Sequence, residues 1–405
     1  MSEQDSPSRH ASFPRGITGL ILRAAGVRQD ARPGMETRAH IGLLQGWVSV
    51  AVNAVLSVVK LVLGLWSGSV ALIADAVHSL SDVGTSMIVV CGFYWARKPR
   101  DSRHPFGHGR IELVTALVMA VILVVLAIEF ARFGGSRILS PRAVDAPLWM
   151  IGVVAGTVLI KHWLAVFAHE LANVSGSPAL RADYWHHVAD ALSTVLVLAA
   201  LVAARIGWVG LDGWAALGVA GFILYAGYIT ARDAIHPLLG EAPPAAAIHQ
   251  VEIAACSVNG VRGAHDVILH TYGDDRVISF HIEVDAAASA LKAHDLAEQA
   301  EAAVEQSMGG KAIAHVDPVD RSHPQYGQAE STLADVVVDH KELTDFHDLR
   351  IDGPAHRLSL SVDVVTVTGL SNTRYADIEQ AIQRAIRERM PELNDVQVTV
   401  ETGYH

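Results

Sequence analysis

Apolar residues gather in six long blocks within the first 235 positions, at about 41–65, 70–94, 112–133, 148–171, 184–205 and 213–232. Each block is close to the roughly 20 residues that carry a helix across a bilayer. The pattern therefore predicts six membrane-spanning helices, a polytopic α-helical domain over 41–235. The second block is the most polar, with Asp75, His78 and Asp82, and the fifth opens on His186, His187 and Asp190. Residues 1–40 are polar and Arg-bearing and lack an apolar stretch leading to a small-residue cleavage site. They read as an unstructured cytoplasmic tail without a signal peptide.

Past Pro237 the pattern changes. PLLGEAPPAA is hinge-like, and residues 245–318 read as helix, strand, strand, helix, strand. VISFHIEVD alternates as a half-buried strand does, and KAHDLAEQAEAAVEQSM has a helical period. This predicts an α+β ferredoxin-like cytoplasmic domain over 236–320. Residues 345–403 repeat the pattern: AHDVILHTYGDDRVISFHIEV matches FHDLRIDGPAHRLSLSVDV, and AHDLAEQAEAAVEQSM matches YADIEQAIQRAIRERM. The domain is thus read as duplicated, with a second copy over 321–405. His265 has its counterpart in His347, whereas His281 falls opposite Val362 and His294 opposite Tyr375, so the second copy reads as a packing unit that has lost most ligand positions.

Composition agrees with a membrane protein: 51% of the 405 residues are hydrophobic and 18% charged. The net charge of −11 is concentrated after about Pro243, a poor fit to nucleic acid. Lys and Arg are dense in the N-terminal tail and between the second and third blocks, where Arg97, Lys98, Arg100, Arg103 and Arg110 lie. The other side has only Arg132, Arg137, Arg142 and Arg205. The basic side is the cytoplasm, which places both termini inside a cell (inner) membrane. The two cysteines, Cys91 and Cys256, offer neither a disulfide framework nor a thiolate zinc motif, so any metal site must use carboxylates and the 21 histidines.

The strongest chemical signal is a doubled motif. HSLSD sets His78 and Asp82 at i and i+4, and HHVAD does the same for His186 and Asp190. Such residues share one helix face, so two facing helices would offer two imidazoles and two carboxylates around one point. Four N/O ligands suit tetrahedral Zn²⁺; two imidazoles fit Mg²⁺ or Ca²⁺ poorly, and no thiol favours Cu(I). One such pair would more simply hydrogen-bond the bundle together. Two copies in two spans favour a metal site, because intramembrane ionisable residues face pathways. Asp75 and His187 read as supporting or structural, Lys60 as reaching to the outer interface, and Asn53 as a cross-link between helices. In the loop DSRHPFGHGR, Asp101, His104 and His108 could hold a metal with one position left for water, or be merely a polar loop. By spacing alone His265, His281, His294, His315 and Asp317 read as scattered surface residues. A metalloprotease is disfavoured: AHELANV lacks the second His of H-E-x-x-H.

Over about residues 40–318 the chain resembles the cation diffusion facilitators, which export zinc and related divalent ions in exchange for protons. The resemblance rests on SGSVALIADAVHSLSDV, HPFGHGRIE, ADYWHHVAD, GAHD, FHIEV, KAHDLAEQ and AHVDP, in order. It implies a transport site of His78, Asp82, His186 and Asp190, a version associated with zinc over cadmium. It implies a loop site of Asp101, His104 and His108, and a binuclear cytoplasmic site of His265, His281, His294, His315 and Asp317, with Asp317 bridging two zinc ions. It further implies a homodimer in the lipid bilayer, with metal ions and protons as cargo. Two alternatives stay open: a membrane metal sensor that does not transport, and the same transporter carrying Fe²⁺, Cd²⁺, Co²⁺ or Mn²⁺. Gly240 stands where some members carry an acid that pairs with a base at the Arg110 position, leaving Glu241 as a substitute. Residues after about 320 go beyond the family plan.

Overall fold

The computed structural model describes residues 17–24, 35–67, 70–140, 148–205, 211–273, 275–353, 357–367 and 372–402. The side chain of Asp75, Arg142, and most of the N-terminal arginines lie outside the described residues. The chain divides into two compact units, with the main boundary between Glu241 and Ala242.

The first unit is helical: α1 (Ile17–Ala24), α2 (Met35–Ser67), α3 (Val70–Ala96), α4 (Ile111–Leu139), α5 (Leu148–Ser175), α6 (Pro178–Arg205) and α7 (Leu211–Leu239). Among the described residues four stretches are long and apolar enough to cross a membrane: Glu36–Trp66, Ala76–Ala96, Ile111–Leu139 and Ile151–Ser175. The helix α1 corrects the expectation of an unstructured tail. Its Leu22 is buried in one cluster with Ala39, Phe93 and Leu171, so apolar burial offsets the entropy of ordering this short segment. Helices α2 and α3 approach closely because Gly42 and Gly46, one turn apart, present no side chain. A Cβ at either would collide with Phe93 or Val90 of α3. Helix α7 ends where Gly240 takes φ +91°, a left-handed closing position that an acidic residue would occupy only with strain.

The second unit holds two α+β modules. The first runs α8 (Ala245–Cys256), β1 (Val261–Tyr272), β2 (Asp275–Asp285), α9 (Ala290–Met308) and β3 (Lys311–Val319). The second runs α10 (Tyr326–Asp339), β4 (Leu343–Asp352), β5 (Leu358–Thr366), α11 (Asn372–Arg389) and β6 (Leu393–Thr402). Each sheet has three strands in chain order, with the last pair parallel. Each module opens on a helix rather than on the first strand of a full ferredoxin-like layer. Alternation makes the cores: Ile278, Phe280, Ile282 and Val284 of β2 face Leu296, Ala300 and Val304 of α9. Leu358, Leu360, Val362 and Val364 of β5 face Ile378, Ile382 and Ile386 of α11. Ser289 caps α9 by accepting the Lys292 N–H at 3.2 Å.

This burial corrects the alignment of the two modules by one residue. Val362 is a core residue, as Ile282 is, so it is Ser361 that shares the outward face with His281. Likewise Ile378 takes the core place of Leu296, which sets His294 against Ala376 and not Tyr375. The strand period of two leaves no intermediate choice.

Candidate functional site

In the helical unit, α3 carries His78 and Asp82, and α6 carries His186 and Asp190. Ligand atoms of His78, Asp82 and Asp190 all lie within 4.8 Å of one another. His78 Nε2 is 3.9 Å from Asp190 Oδ1. His186 Nε2 stands 3.7 Å from Asp190 Oδ2 and 4.0 Å from Asp82 Oδ1, and shares a 2.9 Å hydrogen bond with the Thr85 hydroxyl. Both carboxylates are 2% exposed. The i, i+4 spacing thus brings all four predicted side chains to one place, with His186 at its edge.

A fifth group was not foreseen. Lys161 of α5, 1% exposed, places its Nζ 3.2 Å from Asp82 Oδ2 and 3.6 Å from Asp190 Oδ2. Two buried carboxylates side by side need a compensating charge, and the lysine supplies it. Its signal was in the sequence: a charged residue in the middle of an apolar block.

His187 belongs to a different network. Its Nε2 is 3.2 Å from Asp183 Oδ2 and 2.7 Å from the Ser49 hydroxyl, and Gln45 donates a short hydrogen bond to the same Asp183 oxygen. This ties α6 to α2, in line with a structural reading of His187. Glu112 of α4 similarly accepts from Arg38 of α2 at 3.0 Å and from Ser177 at 2.9 Å. Lys60 corrects the expectation of reaching to an interface: it is buried and donates to Ser79 of α3 at 3.0 Å. Asn53 is buried, and among the described residues neither of its amide atoms has a hydrogen-bond partner, so the expected cross-link is not seen there.

In the loop between α3 and α4, Asp101, His104 and His108 come together as a three-ligand group. His104 Nδ1 is 3.3 Å and His108 Nε2 3.6 Å from the Asp101 carboxylate. The backbone N–H of His104, at 2.7 Å, is the main cause holding the Asp101 carboxyl below its usual range, with that of Arg103 adding to it.

In the first α+β module, the register pairs His281 with His315 and Glu283 with Asp317. His281 Nδ1 is 3.0 Å from Asp317 Oδ2, His265 Nε2 is 3.5 Å from that oxygen, and His315 Nε2 is 3.5 Å from Asp317 Oδ1. Burial pushes the Asp317 carboxyl up, but His265, His281 and His315 together outweigh it and leave it below the ordinary value. His294 does not join these residues: on α9 it is 66% exposed and faces Glu298 at 3.4 Å. Two further groups come from the second module. Arg350 donates to Asp317 Oδ1 at 3.1 Å, and His347 Nε2 lies 3.4 Å from Asp266 Oδ1.

Comparison with known proteins covers both units. The cation efflux transmembrane domain family matches residues 46–239, and the cytoplasmic domain of cation efflux proteins matches residues 243–319. A transporter from Methanocaldococcus jannaschii is 32% identical over 278 residues, 67% of this chain and 97% of that protein. The cation-efflux pump FieF of Pectobacterium carotovorum subsp. carotovorum is 31% identical over 289 residues, 69% of this chain and 94% of its own length. Metal tolerance protein 2 of Oryza sativa subsp. japonica is 30% identical over 286 residues, 64% of this chain and 74% of its own. With two consecutive domains matched and relatives above 30% identity covered almost end to end, the chain belongs to the cation diffusion facilitator family.

Proposed function

We propose that this chain is a divalent transition-metal exporter with zinc as its first cargo, working as a metal/proton antiporter by alternating access. The observation that carries the reading is the meeting of His78 with the buried Asp82 and Asp190, with His186 at 3.7 Å from Asp190 and Lys161 on both carboxylates. Family membership supports a transporter rather than an enzyme, and relatives named as cation-efflux pumps support efflux of metal cations. Mixed imidazole and carboxylate ligands without thiol favour zinc.

In this reading α2 to α7 are six spans of an inner-membrane protein with both termini in the cytoplasm. Zinc enters from the cytoplasm and displaces protons from the ligands. Histidine changes charge in the physiological range, so metal loading and proton release exchange for one another there. Lys161 balances Asp82 and Asp190 when metal is away. On the other side protons return and metal leaves, so the proton gradient drives export. Asp101, His104 and His108 form a cytoplasmic loop site. His265, His281, His294, His315 and Asp317 form a regulatory zinc site in a homodimer, acting through different affinity for the two conformations. Residues 321–405 are a duplicate of the preceding module.

Zinc flux into proteoliposomes under a pH gradient is the test. The wild type should accumulate zinc faster as the gradient steepens, whereas Asp82→Ala and Asp190→Ala should fall to the protein-free rate. Wild-type flux in either variant would sink the site. Absence of flux in the wild type, with zinc still bound, would favour a sensor. Competition by Cd²⁺, Co²⁺, Fe²⁺ and Mn²⁺ in wild type and His78→Asp ranks the cargo.

A further inference from the structure

We propose that His265, Asp266 and His347 form a divalent-metal site shared by the two α+β modules of one chain, so that metal clasps the second module onto the first. Two of its three ligands lie outside the residues named for the cytoplasmic zinc site above, and His347 lies beyond the region the family covers. None lies in the helical unit, so the inference stands apart from the transport reading.

Four observations support it. Ligand atoms of the three residues lie within 4.8 Å of one another. The imidazoles of His265 and His347 stack with centroids 4.4 Å apart, and the Nε2 of each is buried with no contact of full hydrogen-bond geometry among the described residues. The carboxylate oxygens nearest them, Asp317 Oδ2 at 3.5 Å and Asp266 Oδ1 at 3.4 Å, are at ion-pair distance, so both nitrogens can still take up a metal ion. Third, Asp266 and Asp348 hold left-handed conformations, φ 50° and 51°, at the same place in each module. In the second module this coincides with a register shift between His347 and Arg350. Such a bulge re-aims a side chain out of the ladder, and here it accompanies the turn of His347 onto His265.

The fourth observation concerns competition. Arg350 occupies Asp317 Oδ1 at 3.1 Å, so that carboxylate meets the junction already partly neutralised. Asp266, by contrast, has His347 as its near neighbour and an oxygen 3.7 Å from His281 Nδ1, with no Arg or Lys contact among the described residues. An ion arriving between the modules therefore finds its carboxylate in Asp266. Two imidazoles and one carboxylate leave a fourth tetrahedral position for water, a set suited to zinc-class ions. Binding across the junction stabilises the docked arrangement by mass action.

The test uses the full-length chain loaded with Co²⁺ and, separately, with Zn²⁺. In His347→Cys a thiolate-to-cobalt charge-transfer band should appear that is absent from wild type, from His347→Ala and from the double variant His347→Cys/Asp266→Ala. Zinc bound per chain should fall by about one ion in His347→Ala, or the affinity of one ion should weaken by at least the roughly 10–100-fold seen on losing groups that merely support a ligand. His347→Cys should restore that ion, which a packing role would not. The His281→Ala background should keep the charge-transfer band. No band in His347→Cys, unchanged zinc content and affinity in His347→Ala, or loss of the band with His281→Ala would each overturn the proposal.

Discussion

The buried carboxylates of the helical unit and that of the α+β unit have met the same problem in different surroundings. Asp82 and Asp190 sit among helices with Lys161 between them, and lysine and aspartates alike are almost fully buried. Asp317 sits on a sheet face with three imidazoles near it and with Arg350 on its Oδ1, the arginine side chain remaining 35% exposed. In both, a basic side chain from a distant element joins a His–carboxylate constellation. The difference is how much each pair depends on its partner. A charge buried on all sides must be compensated locally, whereas a pair whose arginine stays open to solvent can borrow from water. The helical cluster is therefore the more strictly balanced of the two.

The strongest way to break this comparison is to remove the lysine. Lys161→Met should destabilise the metal-free protein by about 3–5 kcal/mol, the cost of leaving buried charge uncompensated. Saturating zinc should restore most of the lost thermal midpoint in detergent, and the zinc-induced rise should exceed that of wild type. A variant as stable as wild type without metal would show that the carboxylates are not held charged by Lys161. Next comes Arg350→Ala. With water reaching the arginine and three imidazoles still beside Asp317, the loss of this ion pair should cost only about 1 kcal/mol in stability, while zinc affinity of the α+β unit rises because a competing cation is gone. Calorimetric titration would show the gain, and weaker binding would mean that the guanidinium supports the site instead. The smallest change is His294→Ala. As an exposed residue facing only Glu298, it should shift stability by less than about 0.5 kcal/mol. If it nevertheless removes zinc from the α+β unit, its ligand role is exercised in an assembly larger than one chain, and sedimentation with and without zinc would show the dimer.

Local patterns made much of this legible beforehand. The i, i+4 repeat in HSLSD and HHVAD is a statement about helix faces, and the structure brings those residues together. Asp101, His104 and His108 are close in sequence, so their meeting in one loop needed little tertiary information. The elements of the first α+β module and of the 345–403 repeat follow from alternation and helical period, whereas α10 was not read from the sequence. What escaped was of two kinds. A one-residue slip in the alignment moved His281 onto a core position, because similarity of apolar residues does not by itself fix which strand face is buried. The partners Lys161 and Arg350 also escaped, since each meets its partner across a long stretch of chain: Lys161 lies 79 residues from Asp82, and Arg350 lies 33 from Asp317.

By itself, then, the sequence determined the apolar blocks of the helical unit, the αββαβ order of the first module and the ββαβ repeat of the second, and the residue types available for metal, because periodicity and composition are properties of the local chain. Tertiary structure alone decided which charge answers which. It put Lys161 between two aspartates, Arg350 on Asp317, and His347 against His265. Those pairings depend on how helices and sheets pack, and burial then makes each pairing obligatory, because an isolated charge or imidazole nitrogen without water must find a partner within a few ångströms.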